Sequence, residues 1–264
     1  MGGWRTASRR VTPKGVRVRT GTSGFSYAAW KGKFYPEKLP ARAMLAHYAS
    51  RLATVEANAT FYRMPTADAL AAWRAQVPRG FVFALKAPRR ITHVKRLRDC
   101  VALVAAFDRA AAALGPTLGP VLYQLPPTVK RDLPLLEAFL DALPPARRAA
   151  FEFRHASWHD DAVYAALSAR GAALCVADTD EATTPGARTA RFGYFRLRRA
   201  RYTAARLRAW AAHITAQPWE EAFVYFKHED EARGPAFALA MAELFSPGPA
   251  ATRRTASLPA GSPQ

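Results

Sequence analysis

TVEANATFYR, residues 54–63, joins a short apolar run to a polar ending. Leu52 to Val55 has the character of a buried strand, and Glu56 and Asn58 follow it two residues apart. On a strand that spacing puts both side chains on one face. A carboxylate and an amide at the end of a buried strand are unfavourable there unless they pair or meet a ligand. The segment therefore predicts a strand that delivers polar groups to a shared pocket.

The same design recurs on either side of it. Short apolar runs bounded by Gly, Pro or charge lie at Val16–Thr20, Ala53–Ala57, Phe81–Lys86, Gly119–Gln124, Ala149–Arg154, Ala172–Ala177, Phe192–Leu197 and Ala222–Lys227. They have the length and punctuation of buried strands. Amphipathic stretches separate them: Ala41–Arg51 behind Pro40, Thr66–Gln76 with a capping threonine and Pro78 and Gly80 beyond it, Asp99–Leu114, Leu133–Leu143, Asp160–Arg170, Thr203–Ile214 and Pro235–Phe245. Only the connection after the sixth run, DTDEATTPGARTAR, has no helical pattern, so the helix after strand six is short or missing. Eight strands alternating with helices in one α/β domain over 16–245 predict a (β/α)8 TIM barrel. A doubly wound open sheet is the alternative, but the segment after the first run, GTSGFSYAAW, lacks the GxGxxG spacing of a phosphate loop.

Residues 1–15 read as a basic flexible arm, and residues 246–264, rich in Pro, Ala, Ser and Gly, as a disordered tail. Half of the 264 residues are hydrophobic, enough for a large core, yet no apolar run approaches the length of a membrane span. Ser8-Arg9-Arg10 has the look of a twin-arginine signal, but Lys14, Arg17 and Arg19 interrupt the apolar stretch that such a signal needs. The two cysteines, Cys100 and Cys175, fit no metal or redox spacing, and a reduced cytoplasm is the expected location. The net charge of +19 invites nucleic acid as a partner. Because 31 of the 39 basic residues are arginine, amid abundant alanine, coding bias accounts for part of it. Two clusters remain: six cations and no acid from Lys86 to Arg98, and eight arginines and no acid from Arg188 to Arg208.

The strand ends carry the chemistry. Strand two ends in Glu56 and Asn58, strand three in Lys86, strand four in Gln124, and strand five in Glu152 and Arg154. Strand six ends in Asp178, strand seven in Arg196 and Arg198, and strand eight in Lys227, His228 and Glu229. In barrel enzymes these C-terminal ends build the active site. An internal ion-pair network of Glu56 or Glu152 with Arg154 and Arg196 is the structural alternative. The cations at this mouth predict an anionic small molecule bearing phosphate or carboxylate, which arginine grips with a bidentate fork. Glu56, Glu152 and Asp178 are the candidate catalytic groups. Cationic neighbours would keep Glu56 and Glu152 both ionised, which argues against a glycosidase acid–base pair. No cofactor is predicted, and a divalent metal on Glu152, Asp178 and His228 is a minority reading. Aromatic residues in the same loops, among them Tyr27, Trp30, Tyr62 and Trp158, either stack on a ligand or cover the mouth.

Five segments, GTSGFSYAAWKGKFYP, TVEANATFYR, KAPRRITH, YQLPP and EFRHASW, together resemble the YecE-like family, also called domain of unknown function seventy-two, from about Val16 to Leu244. The resemblance implies a TIM barrel without a settled activity. It also implies motif residues at Tyr27, Trp30, Glu56, Asn58, Phe61, Tyr62, Arg63, Lys86, His93, Gln124, Glu152, Arg154, His155 and Trp158. The chain departs from the commoner family pattern in having Phe25 in place of Trp, Leu197-Arg198-Arg199 in place of Leu-His-Gly, and Lys227-His228 in place of an Asn pair. The last two changes make the mouth more basic. An enzyme on an anionic substrate is the first functional expectation. A nucleic-acid-binding or endonuclease-like protein and a non-catalytic ligand-binding barrel are the others, and oligomeric state is not readable.

Overall fold

The computed structural model of the protein describes residues 15–227 and 230–246. The predicted arm and tail therefore fall, apart from Gly15 and Ser246, outside the described residues, as do His228 and Glu229. Eight parallel strands close into a barrel in sequence order: β1 Arg17–Ser23, β2 Thr54–Ala57, β3 Val82–Lys86, β4 Leu118–Gln124, β5 Ala149–Glu152, β6 Ala173–Asp178, β7 Phe192–Leu197 and β8 Glu221–Phe226. Closure comes from β1, which pairs with β2 in the register Ser23↔Glu56 and with β8 in the register Arg17↔Glu221. At Gly21 a Cβ would lie 2.0 Å from the Thr54 carbonyl oxygen, so only glycine lets β1 approach β2 this closely.

Helices α1 Met44–Arg51, α2 Ala59–Tyr62, α3 Ala67–Arg74, α4 Val101–Ala111, α5 Leu133–Asp141, α6 Asp161–Arg170, α7 Ala204–Thr215 and α8 Arg233–Glu243 form the outer layer. Four of them, α3, α5, α6 and α7, start at side chains that take up otherwise unpaired amides. Thr66 accepts from Ala69 N, Asp132 from Leu135 N, Asp160 from Ala162 N and Thr203 from Arg206 N. Two layers of apolar packing result from strand alternation. Val55, Phe83, Leu85, Phe151, Val176 and Phe195 face the helices, while Val82, Ala84, Leu122, Cys175, Tyr194 and Tyr225 fill the barrel itself.

The connection from β6 to β7 has no helix, as the sequence predicts. It returns along β6 as an extended strap, with Thr184 N donating to Ala177 O and Thr189 Oγ donating to Ala172 O. Three local features depart from the sequence reading. Strand β1 continues through Ser23, α2 is an added short helix, and residues Arg90–Val94 form a single wide π turn behind β3. No helix among the described residues is long and apolar enough to cross a membrane.

Candidate functional site at the C-terminal mouth

Alternation along the strands decides which polar side chains meet. Glu56 shares a face with Thr54, whose hydroxyl lies 2.9 Å from Tyr225 OH inside the barrel. Lys86 shares a face with Val82 and Ala84, Gln124 with Leu122, Glu152 with Ala150, and Arg196 with Phe192 and Tyr194, all barrel-filling residues. The inward-facing ends of β2, β3, β4, β5 and β7 thus converge on one mouth.

Its floor is a buried charge triad. Arg196, 2% exposed, lies between Glu56 and Glu152, which are 0% and 1% exposed. Its Nη1 donates to Glu152 Oε2 at 2.6 Å, and its Nε and Nη2 donate to Glu56 at 3.0 and 2.9 Å. Glu56 also accepts from Ser23 Oγ at 2.6 Å and Tyr194 OH at 2.7 Å. Glu152 also accepts from Gln124 Nε2 at 2.7 Å and Arg154 Nε at 3.0 Å. Burial opposes ionisation of Glu152, but Arg196 and Arg154 outweigh it and hold the carboxyl well below the usual carboxylate range. Burial likewise opposes the charge on Arg196, and Glu56 and Glu152 reverse that effect. Both carboxylates are therefore committed as acceptors before any ligand arrives.

Further cations crowd above this floor. Lys86 is half-buried, with Nζ 3.9 Å above the ring centre of Phe61, and it makes no ion pair among the described residues. Burial, then Arg196, pulls its pKa down to about 8, against a partial offset from Glu56 and Glu152. Arg198 reaches Glu152 only at 3.9 Å, and burial and Arg196 lower its pKa. His93, on the π turn, packs its ring 4.9 Å from Phe61, and burial followed by Lys86 holds its pKa down at about 4. Among the described residues two carboxylates face Arg196, Lys86, Arg154 and Arg198, so positive charge is in excess there.

The other predicted residues divide into three groups. Tyr27 lies beside the mouth, its hydroxyl donating to Ser23 O, and Asn58, between β2 and α2, buries an Oδ1 that has no hydrogen-bond partner among the described residues. Tyr62 and Arg63 stand exposed on the rim, Tyr62 at 76%, and Lys227 lies half-buried past the end of β8. Trp30 is buried against Phe34 and Tyr35, Trp158 stacks on Phe153 and donates to Val129 O, and His155 caps its own turn by accepting from Ser157 N. These three serve packing and loop shape.

Asp178 does not join the mouth. It shares the outward face of Leu174 and Val176, where it accepts from Thr183 Oγ, Arg199 Nε and Tyr202 OH. Alternation thus separates it from Glu152, and no cluster of three or more His, Cys, Asp or Glu suited to a metal occurs among the described residues. His228, the third group of that reading, lies outside them. Ser23 and Tyr194 are site residues without a sequence signal of their own. Only alternation within β1 and β7, two residues beyond Gly21 and two before Arg196, places them there.

Fold and site together define a (β/α)8 barrel with a charged, partly buried C-terminal mouth. The chain belongs to the family described as protein of unknown function DUF72, whose model matches residues 19–262. It is similar to the UPF0759 protein YecE of Escherichia coli K12, at 38% identity over 112 residues, or 42% of this chain and 41% of that protein. The match thus spans less than half the length of that curated relative. A DUF72 family protein of Thermotoga maritima MSB8 superposes with a TM-score of 0.74 at 25% identity, covering 87% of this chain and 99% of the other. One from Enterococcus faecalis V583 gives a TM-score of 0.72 at 19% identity over 87% and 98%, a likeness of fold.

Proposed function

We propose that the C-terminal mouth binds an anionic small molecule, bearing carboxylate or phosphate, and that the protein is an enzyme acting on it. One observation carries this reading: among the described residues cations exceed carboxylates at the mouth, and Lys86 has no ion pair there while its pKa is driven down to about 8. Cations held together against their own repulsion and desolvation are stabilised when an anion enters. Arg154 and Arg198, at the open side of the triad, are the anion clamp. Glu56 and Glu152 serve as fixed posts that orient Arg196 and Arg154. Proton transfer falls to Lys86, whose pKa lies near working pH, rather than to Glu152, which its arginines hold ionised, or to Glu56, whose oxygens are taken up by Arg196, Ser23 and Tyr194.

Thermal melting at constant ionic strength tests this. Phosphate and oxalate should raise the melting temperature of the wild-type protein more than that of Arg154→Ala, because only a ligand bound to the native state stabilises it. Equal responses would sink the reading. A second reading has its own observation: Tyr62 stands exposed beside Arg63, on the side of the barrel that also carries exposed Arg89, Arg90 and Arg96. That rim suits single-stranded nucleic acid, and oligonucleotide affinity falling steeply with salt would support it.

A further inference from the structure

We infer that Lys86 is an amine nucleophile that condenses with the carbonyl group of an oxo acid held in the barrel mouth. The inference rests on the anion-pocket reading above and names its substrate class, a carbonyl compound carrying a carboxylate or phosphate.

Three features of Lys86 set it apart. It is the last residue of β3, and Thr60 Oγ donates to its carbonyl oxygen at 2.7 Å, so the strand end is pinned to α2 while the side chain projects inward. Arg154, Arg196 and Arg198 each reach a carboxylate of the floor, whereas Lys86 reaches none and rests on the face of Phe61. Its charged neighbours include Arg196 and Arg154, and it is partly desolvated. Desolvation and neighbouring cations are the conditions that free a lysine amine for attack on a carbonyl. With its pKa at about 8, roughly a quarter of Lys86 is neutral at pH 7.5, against about a thousandth of an ordinary lysine.

The chemistry is balanced without an oxidant or metal. The lone pair of neutral Nζ attacks the carbonyl carbon and forms a C–N bond. The carbonyl oxygen takes up protons and leaves as water, and Nζ gives up its two protons to form the imine. Arg154 and Arg198 would hold the acid group of the substrate and so present its carbonyl to Lys86.

The test uses the full chain, glyoxylate and cyanoborohydride at pH 7.5, with peptide mapping of all lysines. Cyanoborohydride supplies the hydride that converts an imine to a stable carboxymethyl amine. Lys86 should be modified at least about tenfold faster than exposed Lys33, Lys38 and Lys130. Propanal, which has the carbonyl but no charge, should show a preference for Lys86 several-fold weaker. Mapping on the wild-type chain removes any dependence on a variant that folds, and Arg154→Ala should reduce the glyoxylate preference alone. If glyoxylate raises the melting temperature but modifies Lys86 no faster than the exposed lysines, the imine inference is overturned and the anion pocket stands. If glyoxylate neither stabilises the protein nor selects Lys86, both are overturned.

Discussion

The barrel closes each of its ends with arginine and glutamate, and the two ends treat charge differently. At the N-terminal end Glu221 sits between Arg19 Nε, at 2.5 Å, and Arg148 Nη1, at 2.6 Å. Arg19 also donates to Gly80 O, and Arg148 lies over Phe223 at 5.1 Å from its ring centre. Both arginines reach the Glu221 carboxylate, as expected of a plug that stabilises the fold. At the C-terminal end the order is inverted, with one arginine between two glutamates, and further cations surround the triad. Among the described residues Lys86 reaches no carboxylate, and Arg198 reaches one only at long range. The two networks have similar parts and both hold more cations than carboxylates, but only the second includes a half-buried cation, Lys86, that pairs with neither carboxylate of its network. This agrees with the general placement of stability at the bottom of such barrels and of chemistry at the top.

Substitutions can break the comparison, beginning with the largest effect. Arg196→Met removes the centre of the buried triad and leaves two carboxylates facing each other. It should lower unfolding stability by about 3–5 kcal/mol in urea melts. A loss below about 1 kcal/mol would mean that the triad is not the fixed floor described above. Glu221→Gln, at the less enclosed plug, should cost about 1–2 kcal/mol, weaken with added salt, and leave phosphate binding unchanged. Loss of phosphate binding there would remove the distinction between the two ends.

Lys86→Met should behave in the opposite sense from both. Its folded-state pKa, about 8, lies below the unfolded value, so the unfolded chain binds more protons between about pH 8 and 10.5. Stability of the wild-type protein should therefore rise with pH across that window, and Lys86→Met should lose the slope. Below pH 8 the variant should be as stable as wild type or up to about 1 kcal/mol more so, while binding phosphate less well. Phosphate affinity of the wild type should fall as pH climbs through about 8, where Lys86 loses its proton. The smallest effect concerns Asp178→Asn, which should loosen the strap between β6 and β7, read as faster amide exchange around Thr183, and leave phosphate affinity within about twofold of wild type.

The architecture was legible because its signals are local. Each strand is a short apolar run with Gly, Pro or charge at its ends, and the strap after β6 announces itself by lacking any helical period. What escaped depends on partners far away in sequence. β1 stops early to the eye because Gly21, Thr22 and Ser23 resemble a turn. Pairing with Thr54, Val55 and Glu56 carries it on. Asp178 was misplaced because both faces of β6 are apolar, so the sequence ALCVAD gives no sign of which face looks inward. Trp30 and Trp158 stand in loops like rim aromatics, and only their burial against Phe34 and Phe153 reveals packing. The ion-pair network of Glu56 and Glu152 with Arg154 and Arg196, by contrast, follows from the polar strand ends, although Arg196 and Glu56 stand 140 positions apart. The resemblance of the five motifs named Glu56, Gln124, Glu152 and Arg154 together, and the structure hydrogen-bonds three of them, Gln124, Glu152 and Arg154, directly.

The charge surplus at the C-terminal mouth is open to direct observation by following the Lys86 side-chain nitrogen by NMR through a pH titration, with and without phosphate. A midpoint near 8 that moves upward when phosphate is added is the expected result, because an anion at the mouth favours the ammonium form. A midpoint at the ordinary lysine value of about 10.4, unmoved by phosphate, would contradict the account.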